Sequence, residues 1–166
     1  MGIAGSNRHR DRAASKPGAK SPSAGRNGRK SSTTATFEFT IPSELSATRD
    51  VHKTIMDEVE RHKYTETSAF AIRLALEEGL MNAVKHGNKL AREKTVHVEA
   101  TVTAKQTQIT IEDQGAGFDR SNVPDPCSSE NLLKCSGRGI LLMESYMDKV
   151  EFSNGGRRVK MIKKNT

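Results

Sequence analysis

The stretch Val96-His97-Val98-Glu99-Ala100-Thr101-Val102-Thr103-Ala104 alternates apolar and polar side chains without a break. A strand repeats its faces every two residues, so this pattern describes a strand with one buried face and one wet face. Strands of a doubly wound parallel sheet are covered on both sides and read as continuous apolar runs, so the alternation predicts an antiparallel or mixed sheet. Working outward, Ile109 and Ile111 continue the pattern after a short turn near Lys105 and Gln106. Upstream, Phe37, Phe39 and Ile41 alternate with Glu38 and Thr40 until Pro42 stops the run. Downstream, Val150 and Phe152, then Val159 and Met161, flank Asn154-Gly155-Gly156, the composition of a hairpin turn.

Between the strands the period lengthens to that of helices. Ser43 followed by Glu44 predicts a capped helix running to about Lys63, with Ile55, Met56 and Val59 on its buried side. A second helix is predicted from about Thr67 to His86, ending at Gly87 and carrying Phe70, Leu74, Leu76, Leu80, Met81 and Val84. A third starts near Gly137 and runs through Ile140, Leu141, Leu142, Met143, Tyr146 and Met147. One-sided strands with amphipathic helices predict an α+β fold: a two-layer α/β sandwich whose mostly antiparallel or mixed sheet carries helices on one face.

The net charge of +7 on 166 residues suggests a basic protein, but its distribution does not. Eight of the 27 basic residues and one of the 20 acids fall in Met1–Ala35, so that segment carries the whole excess and the remaining 131 residues are neutral. Apart from alanine, only Met1 and Ile3 in this segment could join a core. We expect residues 1–35 to be a disordered basic tail and residues 36–166 to be one folded domain. The tail lacks the apolar core of a secretory signal, and no later run approaches the roughly 20 apolar residues of a membrane span. A cytoplasmic location is the expectation. The tail also lacks the aromatic interleaving of a nucleic-acid platform, so direct nucleic-acid binding is not expected. Cys127 and Cys135 fit neither a zinc site nor a disulfide scaffold and read as free thiols.

Three short segments carry the candidate chemistry. On the second helix, Glu78 and Asn82 stand four residues apart and project from one face, whereas Glu77 points away. A carboxylate can accept a proton and an amide oxygen can ligate Mg²⁺, although polar pairs at this spacing are also common on plain helix surfaces. Next, Asp113-Gln114-Gly115-Ala116-Gly117-Phe118 follows a predicted strand. A carboxylate there can accept from the exocyclic amine of adenine, and the glycines admit close backbone approach, but a tight turn has the same composition. Last, Ser136-Gly137-Arg138-Gly139-Ile140 opens the third helix, where free N–H groups suit phosphates or serve merely as a cap. Neither glycine pair extends to Gly-x-Gly-x-x-Gly, and there is no Gly-Lys-Ser/Thr, so dinucleotide-binding and Walker-type phosphate loops are excluded.

In this order, the three segments resemble the N, G1 and G2 boxes of the ATPase superfamily that unites gyrase, the Hsp90 chaperone, histidine kinases and the mismatch-repair protein MutL. The resemblance is strongest to the small bacterial anti-sigma-factor serine/threonine kinases and covers roughly Phe37 to Lys164, including Leu141 to Val150 after the last box. It implies a Bergerat-type ATPase fold that uses ATP and Mg²⁺. It also implies that Glu78 is the general base, that Asn82 holds Mg²⁺ and that Asp113 reads adenine. By the same likeness Gly115 and Gly117 give the G1 loop its room, Gly137 and Gly139 wrap the phosphates with Arg138 close by, and residues 119–136 form an ATP lid. Two positions depart from the family: Cys135 stands where an arginine is common, and Arg157-Arg158 where a Thr-Thr pair usually opens the last strand.

The resemblance therefore implies an ATP-dependent protein serine/threonine kinase acting as a partner switch. Such a protein binds a sigma factor, phosphorylates an anti-anti-sigma protein of the STAS type, and is commonly a homodimer. The alternative is an ATP-binding module that holds a regulator without phosphate transfer; the presence of Glu78 argues against it. A histidine-kinase reading lacks an acceptor setting at His52 or His62, and gyrase-like or MutL-like readings lack their transducer domains.

Overall fold

A computed structural model describes residues 34–118 and 138–166. Residues 1–33 of the expected tail, Cys127, Cys135, Gly137 and the whole of the expected lid lie outside these residues, while Ala35 already belongs to the first strand. Five strands, β1 (Ala35–Pro42), β2 (Thr95–Val102), β3 (Gln106–Asp113), β4 (Lys149–Ser153) and β5 (Arg158–Lys164), form one sheet in the order β1-β2-β3-β5-β4. Every neighbouring pair is antiparallel. Three helices, α1 (Thr48–Arg61), α2 (Glu66–Met81) and α3 (Arg138–Tyr146), complete the α+β sandwich anticipated from the strand pattern.

The alternation in β2 becomes the inner face of the sandwich. Val96, Val98, Ala100 and Val102 are buried, as are Ile109 and Ile111 of β3 and Val159 and Met161 of β5. Val51, Ile55, Met56 and Val59 from α1 and Ile72, Ala75, Leu76 and Leu80 from α2 join them in one cluster. Burying a side chain of this kind contributes about 1.5–3 kcal/mol. The other sheet face is wet and charged: His97 lies 3.6 Å from both Glu38 and Glu99, and Arg158 reaches Glu99 at 3.4 Å and Glu112 at 3.5 Å.

Gly79 sets how closely α2 approaches the sheet. A Cβ there would stand 2.7 Å from Ile111 Cδ1 and 3.3 Å from Met161 Cε, so a side chain at this position would have to push those chain ends aside. At its other end α2 is capped by Thr65, whose Oγ1 accepts from Ser68 N–H at 3.2 Å. The end of the chain docks on the same turn: Thr65 N–H donates to Asn165 Oδ1 at 3.1 Å and Thr65 Oγ1 donates to Thr166 O at 2.8 Å.

Three local expectations are corrected. Ser43 does not cap a helix; it is buried with its Oγ unpaired, and a short 3₁₀ turn (Leu45–Ala47) precedes α1. Phe70 leaves the apolar set of α2 and is 53% exposed, meeting Tyr146 of α3 edge to face at 5.7 Å. The second helix does not stay α-helical to His86. From Asn82 to Gly87 it widens into a π turn, with Asn88 N–H reaching back five residues to Ala83 O at 2.8 Å.

Candidate nucleotide site

The last turns of α2 and the π turn carry the first candidate pair. Glu78 and Asn82 are both half-buried, and Glu77 is exposed, as the helical spacing requires. What brings them to the third segment is Gly139 in the first turn of α3. A Cβ on Gly139 would collide with Glu78 Oε2 and lie 3.3 Å from Asn82 Nδ2. The backbone of α3 therefore passes close to the carboxylate and the carboxamide, and a side chain at Gly139 would displace them. Arg138, one residue earlier, is exposed at the same helix start.

The other end of the π turn meets Asp113. A Cβ on Gly87 would clash with the Asp113 carboxyl group, and one on Gly115 would strike Gly87 O. Asp113 Oδ1 accepts from Gly115 N–H at 2.7 Å, and Asp113 N–H donates to Arg157 O at 3.0 Å. Burial pushes the Asp113 carboxyl above the usual carboxylate range; the Gly115 N–H and the charges of Arg157 and Lys94 oppose that rise, while Glu112 adds to it.

The G1 loop then folds onto the turn between β4 and β5. Gly117 has φ +76°, and Phe118 N–H donates to Gly155 O at 3.0 Å. Phe118 meets Phe152 edge to face at 5.4 Å. Arg157, one of the departures from the resemblance, is held by Asn154: Nη2 to Oδ1 at 2.6 Å and Nε to O at 3.1 Å. Its neighbour Arg158 belongs to the outer face of the sheet, where its partners are Glu99 and Glu112.

Asn88 is a site residue that sequence reasoning did not single out. It is wholly buried, its Nδ2 donates to Thr95 O at 2.9 Å and its Oδ1 accepts from Gln114 N–H at 2.8 Å. Its place directly after Gly87 was visible in the sequence; its partners come together only in the fold.

A one-sided antiparallel sheet, a helix bearing Glu and Asn, and two glycine segments converging on that helix define a nucleotide-binding ATPase domain. The model of the histidine kinase-like ATPase domain matches residues 41–163, and this chain belongs to that family. An anti-sigma F factor of Clostridium perfringens is 34% identical over 98 residues, 56% of this chain and 70% of that protein. The serine-protein kinase RsbW of Bacillus velezensis is 29% identical over 134 residues, 76% of this chain and 84% of the relative. The crystal structure of the RsbU and RsbW domains of a Mycobacterium tuberculosis protein shares the fold, with a TM-score of 0.54 at 14% identity over 79% of this chain and 32% of that one.

The residues present fit Mg²⁺. Among the described residues no group of three or more His, Cys, Asp or Glu could hold a metal ion. Mg²⁺ takes oxygen ligands and is held by few protein groups together with waters and the phosphates of its nucleotide, so the carboxamide oxygen of Asn82 can serve as one of them.

Proposed function

We propose that this chain is an ATP-dependent protein serine/threonine kinase that works as an anti-sigma partner switch. The observation that carries the proposal is the placement of Gly139 against both Glu78 and Asn82, with Asp113 seated on Gly87 at the other end of the same turn. A nucleotide lying along the π turn would meet Asp113 with its base and the start of α3 with its phosphates. Asp113 accepts from the exocyclic amine of adenine, and Gly115 and Gly117 let the loop backbone close on the nucleotide. Gly137, Arg138 and Gly139 receive the phosphates at the helix start.

Transfer then requires positioning and charge stabilisation more than covalent catalysis. The hydroxyl oxygen of a client serine or threonine attacks the γ-phosphorus. Its proton passes to Glu78, and the bond to the β,γ-bridging oxygen breaks, leaving its electron pair on ADP. Mg²⁺, held by Asn82, supplies neutralisation of the phosphate charge when bound with the nucleotide.

The name of the Clostridium perfringens relative, an anti-sigma F factor, supports a sigma factor as the partner held. A STAS-type anti-anti-sigma protein is the proposed phosphate acceptor, a homodimer the proposed assembly and the cytoplasm the proposed location. No helix among the described residues is long and apolar enough to cross a membrane. The test is incubation with labelled ATP and a STAS protein encoded beside this chain, comparing the wild type with Glu78→Ala. Loss of a general base lowers transfer by about 10²–10⁴-fold; label transfer undiminished in the variant would overturn the role of Glu78.

A further inference from the structure

The ladder between β2 and β3 ends at the pair Val96 and Asp113. Asp113 N–H points to β5, where it meets Arg157 O at 3.0 Å. Backbone groups alternate along a strand, so the next N–H, that of Gln114, points to β2. Its natural partner there is Thr95 O, one residue beyond Val96. The two do not pair. Instead the side chain of Asn88 stands between them: Oδ1 takes Gln114 N–H at 2.8 Å and Nδ2 gives to Thr95 O at 2.9 Å. Gln114 closes the ring from the other side, its Oε1 accepting Thr95 N–H at 2.8 Å.

The backbone of Asn88 is equally committed. Its N–H closes the π turn on Ala83 O at 2.8 Å, and its C=O accepts from Ala91 N–H at 3.1 Å. One fully buried residue thus joins the end of the Glu78–Asn82 helix, the start of β2 and the exit of β3. Gly87, on which the Asp113 carboxylate rests, is the residue before it.

We propose that Asn88 is a positioning residue for base recognition: its side-chain amide, inserted between Thr95 and Gln114, holds the end of β3 apart from β2 and so keeps Asp113 over Gly87. Without the amide, the part-buried Gln114 N–H and Thr95 O both lose their partner, and pairing with each other is the shortest route to a new one. That closure draws Asp113 off Gly87 and away from the amine it reads. The inference rests on the proposed reading of Asp113 as the adenine contact, and the experiment separates the two.

Full-length wild type, Asn88→Ala and Asp113→Asn are titrated with ADP and with inosine diphosphate, whose base has a carbonyl in place of the exocyclic amine. Asn88→Ala should weaken ADP by about tenfold, about 1.4 kcal/mol, and leave inosine diphosphate within about twofold. A residue that served only stability would lower both affinities together. If Asp113→Asn abolishes the adenine preference while Asn88→Ala preserves it, the positioning role is wrong. Should Asp113→Asn itself preserve the preference, the adenine reading fails and the inference falls with it. Gln114→Ala covers the case in which Asn88→Ala does not fold, because that side chain is largely exposed. It should reduce the preference in the same direction, by about twofold or more, and an unchanged preference there overturns the proposal.

Discussion

Asp113 and Gly87 are in contact so close that the carboxyl group occupies the place a Gly87 side chain would take. Gly87→Ala therefore displaces Asp113 with no change in the carboxylate itself. Forcing a methyl into a filled space costs about 1–3 kcal/mol, and here the carboxylate is the group that yields. ADP affinity should fall about tenfold or more by calorimetric titration. Wild-type affinity in a folded Gly87→Ala protein would show that Asp113 does not read the base.

Asp113 also sets a pH dependence. Burial raises its carboxyl above the ordinary range, so the folded protein binds this proton more tightly than the unfolded chain does. As a contribution to folding, the ionised group costs stability above the unfolded value, and that cost is relieved as pH falls through the raised folded value. Adenine binding runs the other way, because it needs the ionised carboxylate. Its affinity should fall on acidification at a higher pH than for an ordinary aspartate. Arg157 opposes the rise, so Arg157→Ala should move this acid limb of ADP binding further up in pH. Comparing the variant with wild type on the same ligand cancels the ligand's own ionisation; coincident profiles would remove Arg157 from the account.

Gly139→Ala offers a variant in which stability and activity should part. Alanine in place of a helical glycine gains up to about 1 kcal/mol in helix propensity, and less in a first turn such as that of Gly139. The new methyl group nevertheless meets Glu78 Oε2 and approaches Asn82. Phosphate transfer should drop by about 10²-fold in a protein whose thermal midpoint is unchanged or higher. Full activity in this variant would mean that α3 does not press on Glu78 during turnover.

Removal of residues 1–33 should change neither ADP affinity nor the thermal midpoint, because the remaining chain holds all the residues of the site and is close to neutral overall. A shift of more than about twofold in ADP affinity at physiological salt would give the basic tail a part in nucleotide binding.

The sheet was legible in the sequence because one-sided burial imposes a period of two, and Val96 to Val102 obey it without exception. Glu78 and Asn82 were legible through their four-residue spacing, and Asp113 through its place at a strand end. Their convergence was not legible from spacing: Gly139 reaches Glu78 across more than fifty residues, and only the family resemblance placed it there. The π turn left no signal, since Asn82 to Gly87 are compatible with an ordinary helix end. Phe70 occupies an apolar helical position yet lies open, its ring against Tyr146 of α3 and outside the core cluster. Asn88 was hidden for a different reason: a buried amide is specified by partners such as Thr95 and Gln114, which no local pattern brings near.

The docking of Asn165 and Thr166 on the first turn of α2 has a practical side. From Thr65 to Glu78 the helix rises about 20 Å, so a reporter group joined after Thr166 would sit at the far end of the rod that carries the proposed base. It would register whether that rod is seated while staying clear of the nucleotide, and a bulky group at this position would be felt at the first turn of α2.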